Sequence, residues 1–162
     1  MSLADIGLKE TGGLNAPPTD RWIVASGGTS AVTPGEPTKQ NAAGDENVIL
    51  LVDDDLTIAT DQCMAGVAVS ESTETASAAG SVNVYTPLMN LLYEIKATTA
   101  SAADAQSEIN AFIGAAMAMD LISSAFTMDT ATGNAAANAF IITGGDPDVS
   151  TVFFRIRIDA TR

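Results

Sequence analysis

The last strand-like segment of the chain alternates strictly. Val152, Phe154, Ile156 and Ile158 fall on one side of an extended backbone, and Phe153, Arg155, Arg157 and Asp159 fall on the other. A period of two cannot be a helical stripe and specifies a strand that buries one face. The same period runs through Leu88–Ala97. There Met89, Leu91, Tyr93, Ile95 and Ala97 are expected to line the core, with Leu88, Asn90, Leu92, Glu94 and Lys96 opposite. Two such segments commit the chain to a sheet with a covered side.

Shorter runs repeat the message. Asn47–Val52, Leu56–Thr60, Met64–Val69, Ser81–Thr86, Ala115–Ile122, Ala125–Asp129 and Asn138–Thr143 are rich in β-branched and aliphatic residues. Turn signals separate them: Asp53-Asp54-Asp55, the polar stretch Glu71–Gly80, Ser123-Ser124, the small-residue stretch Thr130–Ala137, and Gly144-Gly145-Asp146-Pro147-Asp148. Many short strands with turns between them predict a mainly β sandwich or barrel.

One helix interrupts the pattern. Ser101-x-x-Asp104 offers an N-cap with an acidic partner, and Ala105, Ile109, Phe112 and Ile113 recur at helical spacing. Gly114 is placed to end it, so about 12 residues of helix are expected. Aromatic residues make up only 5% of the chain, so the core has to be built from Ile, Leu, Val and Met with a few Phe.

Residues 1–46 read differently from residues 47–162. Gly12-Gly13, Pro17-Pro18, Gly27-Gly28, Pro34 and Pro37 punctuate them, which excludes a helix and breaks central strands. The apolar island Trp22-Ile23-Val24 carries the only Trp of the chain. The expectation is an extended N-terminal arm over 1–46 that orders on a neighbour through Trp22, Ile23 and Val24, followed by a β-rich domain over 47–162; the other reading is a flexible tail whose Trp packs back on its own domain.

The chemistry of the sequence excludes several functions. Histidine is absent, which removes the commonest general base and metal ligand together. The single cysteine, Cys63, has an apolar neighbourhood and reads as a small core residue, with no disulfide framework around it. Gly27-Gly28 and Gly144-Gly145 carry neither a following Lys nor the GxGxxG spacing of a phosphate loop. Asp53-Asp54-Asp55 and the Asp146/Asp148 pair lack the spacing of a calcium loop, and turn roles suit both better. The reading is a protein that is not an enzyme, with no cofactor and no metal. Twenty acidic residues against seven basic ones give a net charge of −13, which repels phosphate backbones and anionic membrane surfaces. Direct binding to nucleic acid or to a membrane is therefore not expected. Met1-Ser2-Leu3-Ala4-Asp5 does not open a signal peptide, so synthesis in the cytoplasm is expected.

Several stretches together resemble a known group. Gly66-Val67-Ala68-Val69, a small-residue loop and Ser81–Thr86 are similar to the middle of the head-decoration (cement) proteins of tailed double-stranded DNA bacteriophages. Ile113-Gly114, Phe126–Ala131, Phe140–Pro147 and Val152–Ile156 resemble the closing section of the same group, where a helix precedes strands and a glycine-rich turn. The resemblance spans roughly residues 60–160. It implies a compact β-tulip-type domain with a small helix, a homotrimer over local three-fold points of the capsid, and an arm that clamps neighbouring major capsid proteins on the outer surface of the expanded shell. The outward row Phe153, Arg155 and Arg157 is either a trimer interface or a covered sheet face; an interface is expected, since cations are scarce and would pair with a neighbour's acids. The alternatives are another assembly subunit, from a tail, fibre or surface array, and a carbohydrate-binding β-sandwich module.

Overall fold

The computed structural model describes residues 6–27, 31–40, 48–50, 64–87, 90–122, 125–130 and 138–157. Along the chain they form β1 (Ile6–Glu10), β2 (Thr19–Val24), β3 (Pro37–Gln40), β4 (Val48–Leu50), β5 (Met64–Ala68), β6 (Gly80–Tyr85) and β7 (Leu92–Lys96). Helix α1 (Gln106–Phe112) follows, then β8 (Ala116–Met117), β9 (Met119–Ile122), β10 (Ala125–Met128), β11 (Phe140–Asp146) and β12 (Thr151–Ile156). The protein is mainly β, with one α-helix, as the alternating segments predict.

Two five-stranded antiparallel sheets and one hairpin make up the fold. The first sheet runs β1-β7-β12-β11-β8, the second runs β2-β6-β5-β3-β4, and β9 pairs with β10. The second sheet curls into a half-barrel that brings its end strands β2 and β4 near one another, without a ladder between them.

Residues 1–46 are not a free arm where the structure describes them. Strand β1 pairs with β7 in the first sheet, β2 pairs with β6, and β3 sits inside the second sheet between β5 and β4. The proposed boundary at 46/47 would cut the β3–β4 pair. The prolines explain the misreading. Pro17 and Pro18 lie just ahead of β2, Pro34 lies in the turn before β3, and Pro37 is the first residue of β3. Those are places where a missing N–H costs no ladder bond, so proline marks strand ends here rather than forbidding strands.

Two cores result. The larger one lies against the first sheet and includes Leu91, Tyr93, Ile95, Phe140, Ile142, Val152, Phe154 and Ile156, joined by Ile109 of α1 and by Met119, Phe126 and Met128 of the hairpin. Tyr93 stacks on Phe154 with ring centroids 5.5 Å apart, and Phe140 meets Phe154 edge-on at 5.2 Å. Such arrangements suit the ring quadrupoles. The smaller core fills the half-barrel with Val24, Val32, Val48, Ala65, Ala68, Val82 and Val84, and Trp22 packs against it.

Strand β5 serves both cores because it carries a bulge. Pro37, Thr38 and Lys39 oppose Val67, Gly66 and Met64, so Ala65 is the extra residue. The bulge resets the alternation: Met64 and Val67 enter the large core, Ala65 and Ala68 the small one. Gly66 is required there. Its φ is +146°, and a Cβ would lie 2.2 Å from the Tyr85 carbonyl oxygen.

The period-two segments hold up in detail. Leu91, Tyr93, Ile95 and Ala97 are all buried, and Leu92 on the opposite side is covered as well. Val152, Phe154 and Ile156 are buried, whereas Phe153, Arg155 and Arg157 are half-buried. Met89, Leu88, Ile158 and Asp159 lie outside the described residues, as do Cys63, Asp53-Asp54-Asp55 and the Leu56–Thr60 run.

Three elements differ from expectation. The helix has seven residues and starts at Gln106, because Ala100–Ala102 form a 3-10 turn that tucks Ala103 into the core. Ser101 is not its cap. Ala105 occupies that position, and the Glu108 carboxylate accepts its N–H at 3.1 Å. Gly114 does end the helical segment, at φ +85°, and its N–H donates to Ile142. Secondly, the single strand expected over Ala115–Ile122 is two strands, β8 and β9, which join different sheets on either side of Ala118. Thirdly, Gly144 and Gly145 belong to β11 rather than to the turn. A Cβ on Gly145 would lie 2.5 Å from the Thr151 carbonyl oxygen and 3.0 Å from Ile109 Cδ1, so this glycine lets α1 seat on the sheet. The turn itself is Pro147–Val149, where Asp146 Oδ1 accepts the Asp148 N–H at 3.1 Å and Ser150 takes φ +51°. That cap is the turn role expected of the two aspartates.

Candidate functional site

The two expected contact groups lie on different sheets. Trp22, Ile23 and Val24 sit on β2, an end strand of the half-barrel. Alternation divides them: Val24 is buried in the small core, Trp22 packs against that core, and Ile23 on the other face is 44% exposed. Asp20, Arg21, Trp22 and Ile23 line a groove of about 360 Å³. The indole Nε1–H of Trp22 is buried with no hydrogen-bond partner. An unmet buried donor beside a groove is an uncommon feature in a native structure.

Ladder geometry fixes which way the β2 backbone points. Thr86 N–H donates to the Pro18 carbonyl at 3.0 Å, which makes that opposed pair a hydrogen-bonded one. The β2–β6 register is regular, so Asp20, Trp22 and Val24 continue the bonding to Val84, Val82 and Gly80. The intervening residues of β6 confirm the alternation. Asn83 N–H donates to Ser70 Oγ and its carbonyl accepts Val69 N–H; Ser81 N–H donates to Thr73 Oγ1 and its carbonyl accepts Thr73 N–H. Their opposites on β2 therefore turn away from β6. Thr19, Arg21 and Ile23 direct N–H and C=O groups to the outer edge of the sheet.

The outward row of β12 is occupied within the chain. Lys9 Nζ lies 4.1 Å from the centroid of the Phe153 ring and 3.5 Å from Glu94 Oε2. The Arg157 guanidinium donates to the Asn138 carbonyl at 3.1 Å, and Arg155 is engaged as well. Lys9 and Arg157 thus have partners within the chain. Nothing in the sequence pairs Lys9 with Phe153; only the adjacency of β1, β7 and β12 does so.

A third polar constellation escaped the sequence reading. Thr98 Oγ1 donates to Asp120 Oδ2 at 2.6 Å and lies 2.8 Å from Thr127 Oγ1. With its proton given to the carboxylate, Thr98 accepts from Thr127. The chain of bonds ties the end of β7 to the β9–β10 hairpin, and its short charge-assisted member is the strong one. These residues are 22 and 29 positions apart from Thr98, beyond any local pattern.

Among the described residues no group of three or more carboxylate, thiol or imidazole side chains is placed to hold a metal ion, and no helix is long and apolar enough to cross a membrane. No protein-family model matches the sequence, and no curated protein matches it.

Proposed function

We propose that the protein is a structural assembly subunit, a decoration protein that binds the outer surface of a tailed-phage head as a trimer and stabilises the expanded shell. The observation that carries this reading is the order of the elements. The segments that resemble the group fall on β5, β6, β10, β11 and β12, and α1 precedes the closing strands with their glycine pair. In this reading the anchoring surface is not a long free arm, since residues 6–27 and 31–40 contribute strands to both sheets. It falls to exposed edges and faces of the domain. A subunit that binds only the expanded shell stabilises that shell by mass action, and a trimer multiplies weak contacts by linking them. A net charge of −13 keeps such a subunit soluble at high copy number and directs it to a basic or neutral surface.

The test is cosedimentation with tailed-phage heads stripped of their own decoration subunits, expanded and unexpanded, followed by thermal rupture of the loaded heads. The expected result is saturable binding to expanded heads alone and a raised rupture temperature. Equal binding to both forms, no binding, or growth of the free protein into open rods or rings would overturn it.

A further inference from the structure

We infer that β2 is a docking edge, built to accept an extended strand of a different protein that places an apolar residue opposite Trp22 and a basic residue opposite Asp20. The inference stands on backbone geometry and does not depend on the capsid reading.

The four end strands of the two five-stranded sheets are not alike. Strand β8 is two residues long and β4 three. Strand β1 is bulged between Leu8 and Glu10 and carries Lys9. Short length, bulges and lysines are the means by which proteins keep sheet edges from pairing with other chains. Strand β2 has none of them. It offers six residues in unbroken register, with no proline or lysine inside, and turns the polar groups of Thr19, Arg21 and Ile23 to the side away from β6. Thr19, Asp20, Arg21 and Ile23 are all exposed.

The side chains define what the added strand must carry. On an antiparallel strand, residues facing Thr19, Arg21 and Ile23 exchange both backbone hydrogen bonds. Residues facing Asp20 and Trp22 form the non-bonded pairs, where side chains approach most closely. Asp20 and Trp22 share one face of β2, so the complementary spacing is apolar–any–basic. A second copy of this chain is disfavoured as the occupant. Two-fold pairing about Arg21 sets arginine against arginine across the edge. Complementarity of charge selects a basic strand instead. Recognition of this kind takes affinity from main-chain bonds and specificity from alternate side chains.

The sole tryptophan makes the site its own reporter. The probe is the capped peptide Thr-Val-Thr-Lys-Thr, which sets Val opposite Trp22 and Lys opposite Asp20, titrated against the full chain by Trp fluorescence. Saturable binding is expected, and it should weaken at least about tenfold when the three Thr amides are N-methylated. N-methylation of Val and Lys, whose N–H groups face away from β2, should leave it nearly unchanged. Replacing Lys by Glu in the peptide should weaken it. Ile23→Pro removes one outward N–H without touching a β2–β6 bond, and should weaken binding while the urea midpoint holds; Asp20→Asn should erase the preference for Lys over Glu. Absence of binding, equal affinity for both methylation patterns, or self-association that Ile23→Pro abolishes would overturn the proposal.

Discussion

The two cores use different side chains to do the same job. Against the first sheet, Tyr93, Phe140 and Phe154 interlock, with Met117, Met119 and Met128 filling the gaps between them. Inside the half-barrel the described buried residues are valine and alanine, closed on one side by the half-buried ring of Trp22. Buried apolar area sets most of the stabilisation, at roughly 25 cal/mol per Å². Large residues therefore concentrate stability in the first region, while the second distributes little among many. The exposed residues of β2 belong to the half with the smaller described core residues.

That contrast can be broken by substitution. Phe154→Ala should have the largest effect, a loss of about 3–5 kcal/mol in urea unfolding, because it removes both ring contacts and leaves a cavity. A loss under about 1 kcal/mol would mean the large core is not the centre of stability. Val84→Ala should lose about 1.5–3 kcal/mol, from two methyl groups and a smaller cavity. Hydrogen exchange should then quicken in β2 and β6 and stay slow in β11 and β12; uniform quickening would show that the halves open as one unit.

Tyr93→Phe sharpens the comparison within the large core. The Tyr93 hydroxyl is buried with no hydrogen-bond partner, so its removal should change stability at neutral pH by no more than about 1 kcal/mol, in either direction. Its pKa is raised above the usual 10.0, chiefly by burial and then by Tyr85. A raised folded-state value means that the unfolded chain releases the proton first. The corresponding stability is complete below pH 10 and is lost as pH rises towards the folded value. Tyr93→Phe should flatten this alkaline decline, read as the urea midpoint against pH. The smallest effect belongs to Lys9→Ala. Its ion pair with Glu94 is solvent-exposed, and with the Phe153 contact included the loss should stay near or below about 1 kcal/mol and shrink further in salt.

Much of the fold was legible because burial alternates with strand geometry. Tyr93, Ile95, Val152, Phe154 and Ile156 could be assigned to the core from their spacing, and Gly114 ended the helical segment as its position predicted. The helix start was misread because Ser101 and Asp104 satisfy a cap pattern, yet burial of Ala103 bends the chain before the helix begins. Gly144-Gly145 looked like a turn because paired glycines also serve close packing, and sequence cannot separate the two uses. At the candidate site, Trp22 and Ile23 were visible as an apolar island. That Arg21 and Ile23 turn their backbone groups away from β6 depends on a partner strand about 60 residues away.

Sequence alone determined that this chain is mainly β, that its strands are short and half-buried, and that it carries a large negative charge without a histidine. Those properties follow from local period, residue type and counting. Tertiary structure decided the rest: that residues 6–27 and 31–40 belong to both sheets, that Phe153 lies beneath Lys9, and that β2 is an end strand of its sheet. Antiparallel pairing joins residues far apart in the chain, and alternation tells a strand which face to bury but not which neighbour to bond.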